Sequence, residues 1–211
     1  MYRNRVHAGE LLLDEIVKRG LAESLSFLFA IPRGGIEVAY PIARGLKKEV
    51  FPLIVHKIPS SVNEEFAIGA ISITGDYILN EYGREEYLAY IESVKGTLLK
   101  KLKKMEEFFG EKINFEDIEG KNVAVIDDGI ATGETIFLGV KTLRHYKPKE
   151  ILVLVPVSSL EGFEKLSEIS TVICPLIDRH FYAVSSYFEE FLQVQEEIAK
   201  RYVEETRTLA K

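Results

Sequence analysis

Two adjacent carboxylates, Asp127 and Asp128, stand at the end of an apolar run and directly before a loop of small and hydroxyl residues. The run, 123–126, has the composition of a buried parallel strand, and open α/β sheets bind ligands at the carboxyl ends of such strands. Carboxylates there can accept hydrogen bonds from ribose hydroxyls. The following loop, 131–135, offers consecutive backbone N–H groups and two hydroxyls at the predicted start of a helix, which favours a phosphate. One short segment can therefore hold both ends of a ribose 5-phosphate.

Other kinds of site compete for the segment 123–135. Gly129 and Gly133 are not followed by Gly-Lys-Ser or Gly-Lys-Thr, which excludes a P-loop, and no G-x-G-x-x-G run for a dinucleotide is present. A strand ending in two aspartates also occurs in NTPase sites, but the chain has no phosphate-cradling first half. A purely structural explanation is an acidic cap, in which Asp128 or Thr132 satisfies N–H groups of the first helical turn. The full run of thirteen residues disfavours that explanation.

The run Val-Ala-Val-Ile-Asp-Asp-Gly-Ile-Ala-Thr-Gly-Glu-Thr at 123–135 closely resembles the motif with which type I phosphoribosyltransferases bind 5-phosphoribosyl 1-pyrophosphate (PRPP). In that motif, four hydrophobic residues precede two acidic residues and a small loop that contains Thr-Gly and ends in Thr. The resemblance implies that Asp127 and Asp128 are catalytic. It also implies that the 5′-phosphate of PRPP is bound by Ala131, Thr132, Gly133, Glu134 and Thr135.

A second loop fits the pyrophosphate half of PRPP. The apolar run 25–31 predicts a strand, and Arg33-Gly34-Gly35 follows it at the start of a helical stretch. Two adjacent glycines let the backbone approach a bulky polyanion, while Arg33 supplies a fixed charge and a fork of donors. Arg-Gly-Gly alone is usually only a turn, so its position after the first core strand is what matters. Members of the resembled family have a basic residue and Gly-Gly here, which implies pyrophosphate binding by Arg33, Gly34 and Gly35.

Segments outside the PRPP motif at 123–135 resemble one subgroup of predicted phosphoribosyltransferases whose acceptor is not established. The likeness extends over nearly the whole chain, and its segments are 3–5, 8–12, 31–35, 56–57, 65–70 and 181–184. The chain departs from the subgroup at Asn4, His56 and Glu64, where Asp, Arg and Pro are usual.

Composition is typical of one soluble domain. The 211 residues suffice for one sizeable core, and 27 basic against 33 acidic residues leave a net charge of −6. That balance argues against a general nucleic-acid surface. No apolar run reaches the roughly 18 residues of a membrane span, and the N-terminus lacks a signal-peptide apolar region. We therefore expect a cytoplasmic protein that binds neither nucleic acid nor membrane, with its single cysteine, Cys174, in the core.

Strands and helices alternate along the chain, which predicts an α/β fold with an open, mostly parallel sheet flanked by helices. The predicted strands are 27–32, 50–57, 122–127, 151–157 and 170–175, and the predicted helices are 7–19, 35–46, 134–146 and 160–168. Helical spacing of apolar residues predicts a further helix over 85–109. Its four lysines, Lys100, Lys101, Lys103 and Lys104, indicate a solvated face that complements the helix dipole.

We expect one phosphoribosyltransferase-like domain over 1–211. Its core is predicted at about 20–57 and 120–176, followed by a C-terminal hood and helices at 177–211. A flexible loop and β-hairpin are predicted at 58–82, with the turn at Gly75-Asp76. In the resembled family this segment is a mobile hood over the active site. A homodimer is expected because symmetric pairs are the commonest assemblies.

The resemblance implies a Mg²⁺-dependent reaction in which a nitrogen nucleophile displaces pyrophosphate from C1 of PRPP. The transition state carries positive charge on the ribose and negative charge on the leaving group. Mg²⁺ would bind through PRPP oxygens, with Asp127 and Asp128 as further candidate ligands. Arg33 and Lys57 are expected to assist as catalytic cations, since Lys57 follows an apolar strand and should project near the same sheet edge. A solvated lysine at a strand end is the alternative for Lys57.

Two positions bear on the acceptor, which is a nucleobase or another small nitrogen compound. Type I enzymes for 6-oxopurines usually have an Asp where this chain has Ala131, placed to exchange a proton with the purine. A 6-oxopurine acceptor is therefore not expected, although adenine and orotate enzymes also lack that Asp. Phe181 or Tyr182 is predicted to stack on the acceptor. The alternative is that both aromatic residues pack around Phe188.

Two classes of function remain open. The first is a phosphoribosyltransferase, a pentosyltransferase of nucleotide metabolism. The second is a catalytically silent regulator that senses PRPP or a nucleotide. Retained Arg33-Gly34-Gly35 and the hood-like segment favour the enzyme, because a sensor has less need of a complete pyrophosphate site. The acidic net charge weakens a regulator that acts on nucleic acid.

Overall fold

A parallel sheet lies at the centre of the computed structural model, which describes residues 1–62, 67–79, 87–110 and 113–210. In chain order the elements are α1 (Arg5–Lys18), β1 (Leu25–Ala30), α2 (Gly34–Leu46), β2 (Val50–Pro52), β3 (Val55–Pro59), β4 (Ala67–Ser72), β5 (Tyr77–Leu79), α3 (Leu88–Phe109), β6 (Asn122–Ile126), α4 (Glu134–Arg144), β7 (Glu150–Leu154), β8 (Val157–Ser159), α5 (Leu160–Ser167), β9 (Thr171–Ile173), β10 (Leu176–Asp178) and α6 (Glu196–Leu209). Five strands pair in the order β2-β1-β6-β7-β9, and every pair is parallel. The predicted α/β fold with an open, mostly parallel sheet is confirmed.

Each face of this sheet has its own hydrophobic core. Side chains alternate along a strand, so Ala124 and Ile126 of β6 join the core under α1, α2 and α6, whereas Val123 and Val125 join the core under α4 and α5. A strand that is covered on both faces must be apolar at every position. This double burial explains why β6 appears in the sequence as an unbroken apolar run.

The strand register brings two loops together at one edge of the sheet. Ala30 at the end of β1 pairs with Ile126 at the end of β6, and Ile126 pairs with Leu154 at the end of β7. The backbone N–H of Ile31 also donates to the carbonyl oxygen of Ile126 at 2.9 Å. The chain therefore leaves β1 and β6 side by side, and the loops that begin at Ile31 and Asp127 are direct neighbours.

The helices α1 and α2 pack closely beside this edge. A Cβ placed on Gly9 would lie 2.1 Å from the carbonyl oxygen of Val38, so only glycine permits the observed approach of the two helices. Asn4 caps α1, because its side-chain oxygen accepts from the N–H of His7 at 2.9 Å. Cap and crossing together hold Arg5, the first residue of α1, against the end of β6.

Prolines divide two runs that were predicted as single strands and shorten a third. The predicted strand 50–57 is wrong as a unit, because β2 ends at Pro52 and β3 begins at Val55 in a different sheet. The predicted strand 151–157 likewise separates into β7 and β8 around Pro156, and the strand predicted over 170–175 ends at Ile173, two residues before Pro175. Proline has no N–H to give to a strand ladder, so each of these strands ends near one.

The strands β3, β4 and β5 form a separate antiparallel sheet. The predicted hairpin turn at Gly75-Asp76 is confirmed, with Gly75 at φ +89° and its N–H donating to the carbonyl oxygen of Ser72 at 3.0 Å. Positions 63–66 and 80–86 of the predicted loop and hood, including Glu64, lie outside the described residues. Within the described part of the chain, no helix is long and apolar enough to cross a membrane.

Candidate functional site

The acidic pair lies at the carboxyl edge of the sheet, as its position after β6 predicted. The N–H of Asp128 donates to Oδ1 of Asp127 at 2.9 Å, so the two carboxyl groups share one turn of backbone. Burial raises the pKa of Asp127 well above its usual range, and the neighbouring charge of Asp128 raises it further, while Arg5 and Lys57 oppose the shift. Burial also raises the pKa of Asp128, against the lowering influence of Arg5. Two neighbouring carboxylates at one sheet edge favour the binding of a cation.

Arg5 supplies positive charge next to one of these carboxylates. Its Nε donates to Oδ2 of Asp128 at 2.7 Å, and its Nη1 donates to the carbonyl oxygen of Leu192 at 2.8 Å. The guanidinium carbon also lies 3.6 Å from the centre of the Phe191 ring, and Arg5 is only 7% exposed. A second carboxylate, that of Glu37, lies 3.7 Å from Nη1. Arg5 thus connects α1, the acidic pair and the C-terminal segment.

In the sequence, Arg5 belonged to a segment of family resemblance and had no predicted role. Its partner Asp128 is 123 positions away, so no local spacing predicts the pair. The sequence indicates only that Arg5 directly follows a favourable N-cap residue, Asn4, and so is the first residue of α1. The pairing itself depends on how α1 packs on the sheet.

The glycine loop is in contact with the acidic pair. A Cβ on Gly34 would lie 2.1 Å from Oδ2 of Asp128 and 3.0 Å from Nε of Arg5. A Cβ on Gly35 would lie 2.5 Å from the carbonyl oxygen of Ile126 and 3.0 Å from Cα of Asp127. Both glycines are therefore required by close packing. The structure brings the two loops that were predicted to bind opposite ends of PRPP into one place.

Arg33 points away from the acidic pair. Its Nη1 lies 3.7 Å from Oε1 of Glu196 at the start of α6, and its side chain is 32% exposed. The same side chain lines a cavity beside α3. The peptide bond between Pro32 and Arg33 is cis. Arg33 is thus attached to the pyrophosphate-type loop but has its charge next to α6.

The segment 131–135 leads into α4, which begins at Glu134. Gly133 is the N-cap at φ +75°, a conformation that favours glycine, and no side chain caps this helix. The structural alternative, in which Asp128 or Thr132 caps the first turn, is wrong, because Asp128 binds Arg5 instead. Ser159 fixes the loop by donating from Oγ to the carbonyl oxygen of Ala131 at 2.5 Å. The arrangement suits an external anion.

Thr132 and Ala131 of this loop are exposed, whereas Glu134 and Thr135 are partly buried in the first turn of α4. Gly133 is buried, and a Cβ placed on it would lie 3.3 Å from Cδ1 of Leu166. The loop therefore presents its backbone and one hydroxyl outward.

Lys57 and His56 lie on opposite faces of β3. Lys57 is exposed, as the solvated alternative states, yet its charge is near enough to lower the pKa of Asp127. His56 instead lines the cavity beside α3, with Nδ1 2.7 Å from the carbonyl oxygen of Lys57. Since a carbonyl only accepts, Nδ1 is the protonated ring nitrogen.

The two aromatic residues predicted at the acceptor differ in environment. Phe181 stacks on Tyr187 with ring centres 5.4 Å apart, in the cluster that also contains Phe188. Tyr182 is 92% exposed. A Cβ on Gly129 would lie 2.7 Å from Cγ1 of Val184, so the 181–184 segment does lie beside the loop that follows the acidic pair. Phe181 follows the packing alternative, while the Tyr182 ring is open to solvent.

The described residues contain no group of three or more His, Cys, Asp or Glu side chains placed to hold a metal ion. The acidic pair offers two carboxylates, one of them already engaged by Arg5. The described side chains thus offer few ligands to a metal ion at this place. The site fits a hard cation that arrives with most of its oxygen ligands supplied by a substrate.

Comparison with known proteins gives a consistent result. The family model described as "Phosphoribosyl transferase domain" matches residues 4–187. Two Mycobacterium tuberculosis proteins that are named provisionally as phosphoribosyl transferases are 25% identical over 93% of this chain and 45% of their own length. This chain thus spans about half the length of those curated relatives. The adenine phosphoribosyltransferase of Aliarcobacter butzleri is 25% identical over 82% of this chain and 78% of its own.

Among solved structures, TT1426 from Thermus thermophilus is similar, with a TM-score of 0.77, 29% identity, and coverage of 97% of this chain and 98% of TT1426. The AQ2163 protein of Aquifex aeolicus shares the fold, with a TM-score of 0.52 at 13% identity over 82% of this chain and 74% of AQ2163.

Proposed function

We propose that this chain, which belongs to the phosphoribosyl transferase domain family, is an enzyme that transfers the phosphoribosyl group of Mg²⁺–PRPP to a small nitrogen acceptor and releases pyrophosphate. One observation carries the proposal. The Gly34-Gly35 loop is in contact with Asp127 and Asp128 at the carboxyl edge of the sheet. A single bound molecule can therefore reach the glycine loop, the acidic pair and the start of α4 together.

Each part of the site receives one part of PRPP in this proposal. Asp127 and Asp128 accept hydrogen bonds from the ribose hydroxyls. The uncapped start of α4, comprising Ala131, Thr132, Gly133, Glu134 and Thr135, binds the 5′-phosphate. The pyrophosphate lies beside the turn of Gly34 and Gly35, because the missing Cβ atoms let this loop approach the acidic pair closely.

In the reaction, a bond forms between the acceptor nitrogen and C1 of the ribose while the bond from C1 to the pyrophosphate oxygen breaks. Positive charge develops on the ribose, which the nearby carboxylates of Asp127 and Asp128 stabilise. Negative charge develops on the leaving group, and Lys57, which already acts on Asp127 through its charge, is placed to offset it. Arg33 can join by leaving its long, half-exposed contact with Glu196.

Magnesium enters as part of the substrate. It neutralises the pyrophosphate and so makes it a better leaving group. Asp127, whose carboxylate is not engaged by Arg5, is the residue placed to contact such an ion. A cation there lowers the pKa of Asp127, which burial holds high in the free protein.

For the acceptor we propose a nucleobase or a similar nitrogen compound other than a 6-oxopurine, on the evidence of Ala131. Adenine is the first candidate, because one relative is an adenine phosphoribosyltransferase. Tyr182 is the residue we propose to stack on it, since its ring is exposed beside the site; Phe181 supports that segment by stacking on Tyr187. A single domain over 1–211, a homodimer and a cytoplasmic location remain predictions.

The proposal is tested by measuring pyrophosphate release from PRPP and Mg²⁺ with adenine, orotate, uracil, nicotinate, guanine and xanthine. Acceptor-dependent release is expected, and it identifies the acceptor class. Asp127→Asn with Asp128→Asn should abolish release and weaken Mg²⁺–PRPP binding in calorimetry. The matched control is Asp14→Asn with Asp117→Asn, which removes the same charge at two exposed positions. Unchanged PRPP affinity in the first variant contradicts the site, whereas tight PRPP binding without release for any acceptor favours the sensing regulator.

A further inference from the structure

A cavity of about 400 Å³ lies between the C-terminal half of α3 and the loop of Arg33. Its apolar wall includes Leu102, Met105 and Phe108. Its volume falls within the range of small-molecule pockets, roughly 300–1,000 Å³. None of the PRPP-directed residues of the acidic pair or the α4 loop lines it.

The cavity is on the other side of β3 from the acidic pair. Consecutive strand residues point to opposite faces. Lys57 acts on Asp127, whereas the preceding residue, His56, lines the cavity. We infer from this alternation that β3 separates the cavity from the acidic pair, while the loop that carries Arg33 borders both.

Positive charge predominates around the cavity, although the whole chain has a net charge of −6. Arg33, Lys101 and Lys104 line it, and Glu196 is the acidic residue among the described lining residues. The contact of Arg33 with Glu196 is long, 3.7 Å, and both side chains are solvent-accessible, so it holds the guanidinium only weakly. The cations are thus available to an external anion.

The same helical face supplies an aromatic surface. Positions 101, 104, 105 and 108 are spaced i, i+3, i+4 and i+7, so the two lysines, Met105 and Phe108 lie along one stripe of α3. Nζ of Lys200 lies 5.0 Å from the centre of the Phe108 ring and adds a further cation nearby. Lys100 and Lys103 belong to the same helix but are not among the lining residues of the cavity.

We propose that this cavity is a second anion-binding site, distinct from the acidic pair and the α4 loop but sharing Arg33 with the pyrophosphate loop, and that it takes a nucleoside phosphate. The phosphate groups bind Arg33, Lys101 and Lys104, and the base lies against the Phe108 and Met105 wall, which accepts any flat heterocycle. Because Arg33 directly precedes Gly34, an occupant of the cavity contacts the same loop that approaches the acidic pair. The site does not depend on transferase activity.

The test is calorimetric titration of the full chain with ADP as the probe and with inorganic pyrophosphate as a ring-free comparison. ADP is expected to bind more tightly than pyrophosphate. Lys101→Gln with Lys104→Gln should weaken ADP binding at least about tenfold, because two charge-assisted contacts are lost. The matched control, Lys100→Gln with Lys103→Gln, removes the same charge from the same helix and should change the affinity by less than about twofold. All four lysines are exposed, so both variants should fold.

Two further variants locate the probe. Asp127→Asn with Asp128→Asn should keep ADP binding, and Phe108→Leu should lose the preference for ADP over pyrophosphate. Equal losses in the two lysine pairs, loss of ADP binding in the aspartate variant, or no ADP binding at about 1 mM each overturn the proposal. These results are independent of pyrophosphate release, so the second site and the proposed transferase reaction can fail separately.

Discussion

Removal of Arg5 should destabilise the protein more than removal of any surface arginine. In Arg5→Met, Asp128 loses the hydrogen bond of 2.7 Å, the carbonyl oxygen of Leu192 loses its donor and the ring of Phe191 loses its cation. Breaking one side of a buried ion pair costs roughly 3–5 kcal/mol, mainly because the remaining charge is unpaired. We expect a fall in the free energy of unfolding of about that size, since methionine retains most of the apolar stem.

The loss should depend on pH, with a sign that can be worked out. Burial already raises the pKa of Asp128, and Arg5 opposes that rise, so Arg5→Met should raise it further above the unfolded value of about 3.9. A carboxyl group with a raised pKa in the folded state contributes stability at low pH that is lost as pH rises through the folded pKa. The variant should therefore be less destabilised near about pH 4.5 than near about pH 8, provided both proteins remain folded.

Urea unfolding followed by circular dichroism, at both pH values, measures the effect. Arg19→Met is the matched control, because Arg19 follows directly on α1 and also has a short contact, 2.6 Å to Glu15, but is exposed. That variant should lose less than about 1 kcal/mol. A loss of similar size in both variants, or a loss for Arg5→Met that does not change with pH, refutes the reasoning. Combining Arg5→Met with Asp128→Asn should be less destabilising than the sum of the single changes.

Three further results are expected. Asp127→Asn should stabilise the free protein, with a gain that grows as pH rises above about 3.9, because the raised pKa of Asp127 marks an unfavourable charge; denaturation at two pH values checks this, and a loss at neutral pH contradicts it. Gly35→Ala should lower the free energy of unfolding by about 1–3 kcal/mol or more, because its Cβ would lie 2.5 Å from the carbonyl oxygen of Ile126. Gly96→Ala on α3, where a Cβ would have nothing within 4 Å, should raise that free energy by about 0.5–1 kcal/mol. Thermal unfolding compares the two variants. Burial raises the pKa of the Cys174 thiol to about 12, so labelling by a thiol reagent at pH 8 should be far slower in the folded than in the unfolded protein, and equal rates contradict that burial.

Much of the fold followed from local patterns. The apolar run before Asp127 predicted β6, the glycines at 34 and 35 predicted the start of α2, and the Gly75-Asp76 turn predicted a hairpin. The errors in the strands occurred around Pro52 and Pro156, where continuous apolar character outweighed the missing N–H group. The apolar runs continue through both prolines, although a proline cannot donate an N–H group to the hydrogen bonds between strands.

The candidate site was predictable in part for a similar reason. A strand end followed by carboxylates and a helix start is a property of consecutive residues, and so is a glycine loop after a strand. The contact between these two loops was not predicted; it follows from the parallel register of β1 with β6. The side-chain partners of Arg5 and Arg33 were not predicted.

The sequence alone specified the acidic pair, the glycine loop and the start of α4, because each is encoded within a few neighbouring residues whose spacing and conformational preferences act locally. The tertiary structure decided that Arg5 neutralises Asp128, that Arg33 faces Glu196, and that Lys101 and Lys104 border a cavity. These relations join residues far apart in the chain. They depend on how α1, α3 and α6 pack on the sheet. The exclusion of water at these contacts sets the strength of each electrostatic interaction, and it exists only once the helices are in place.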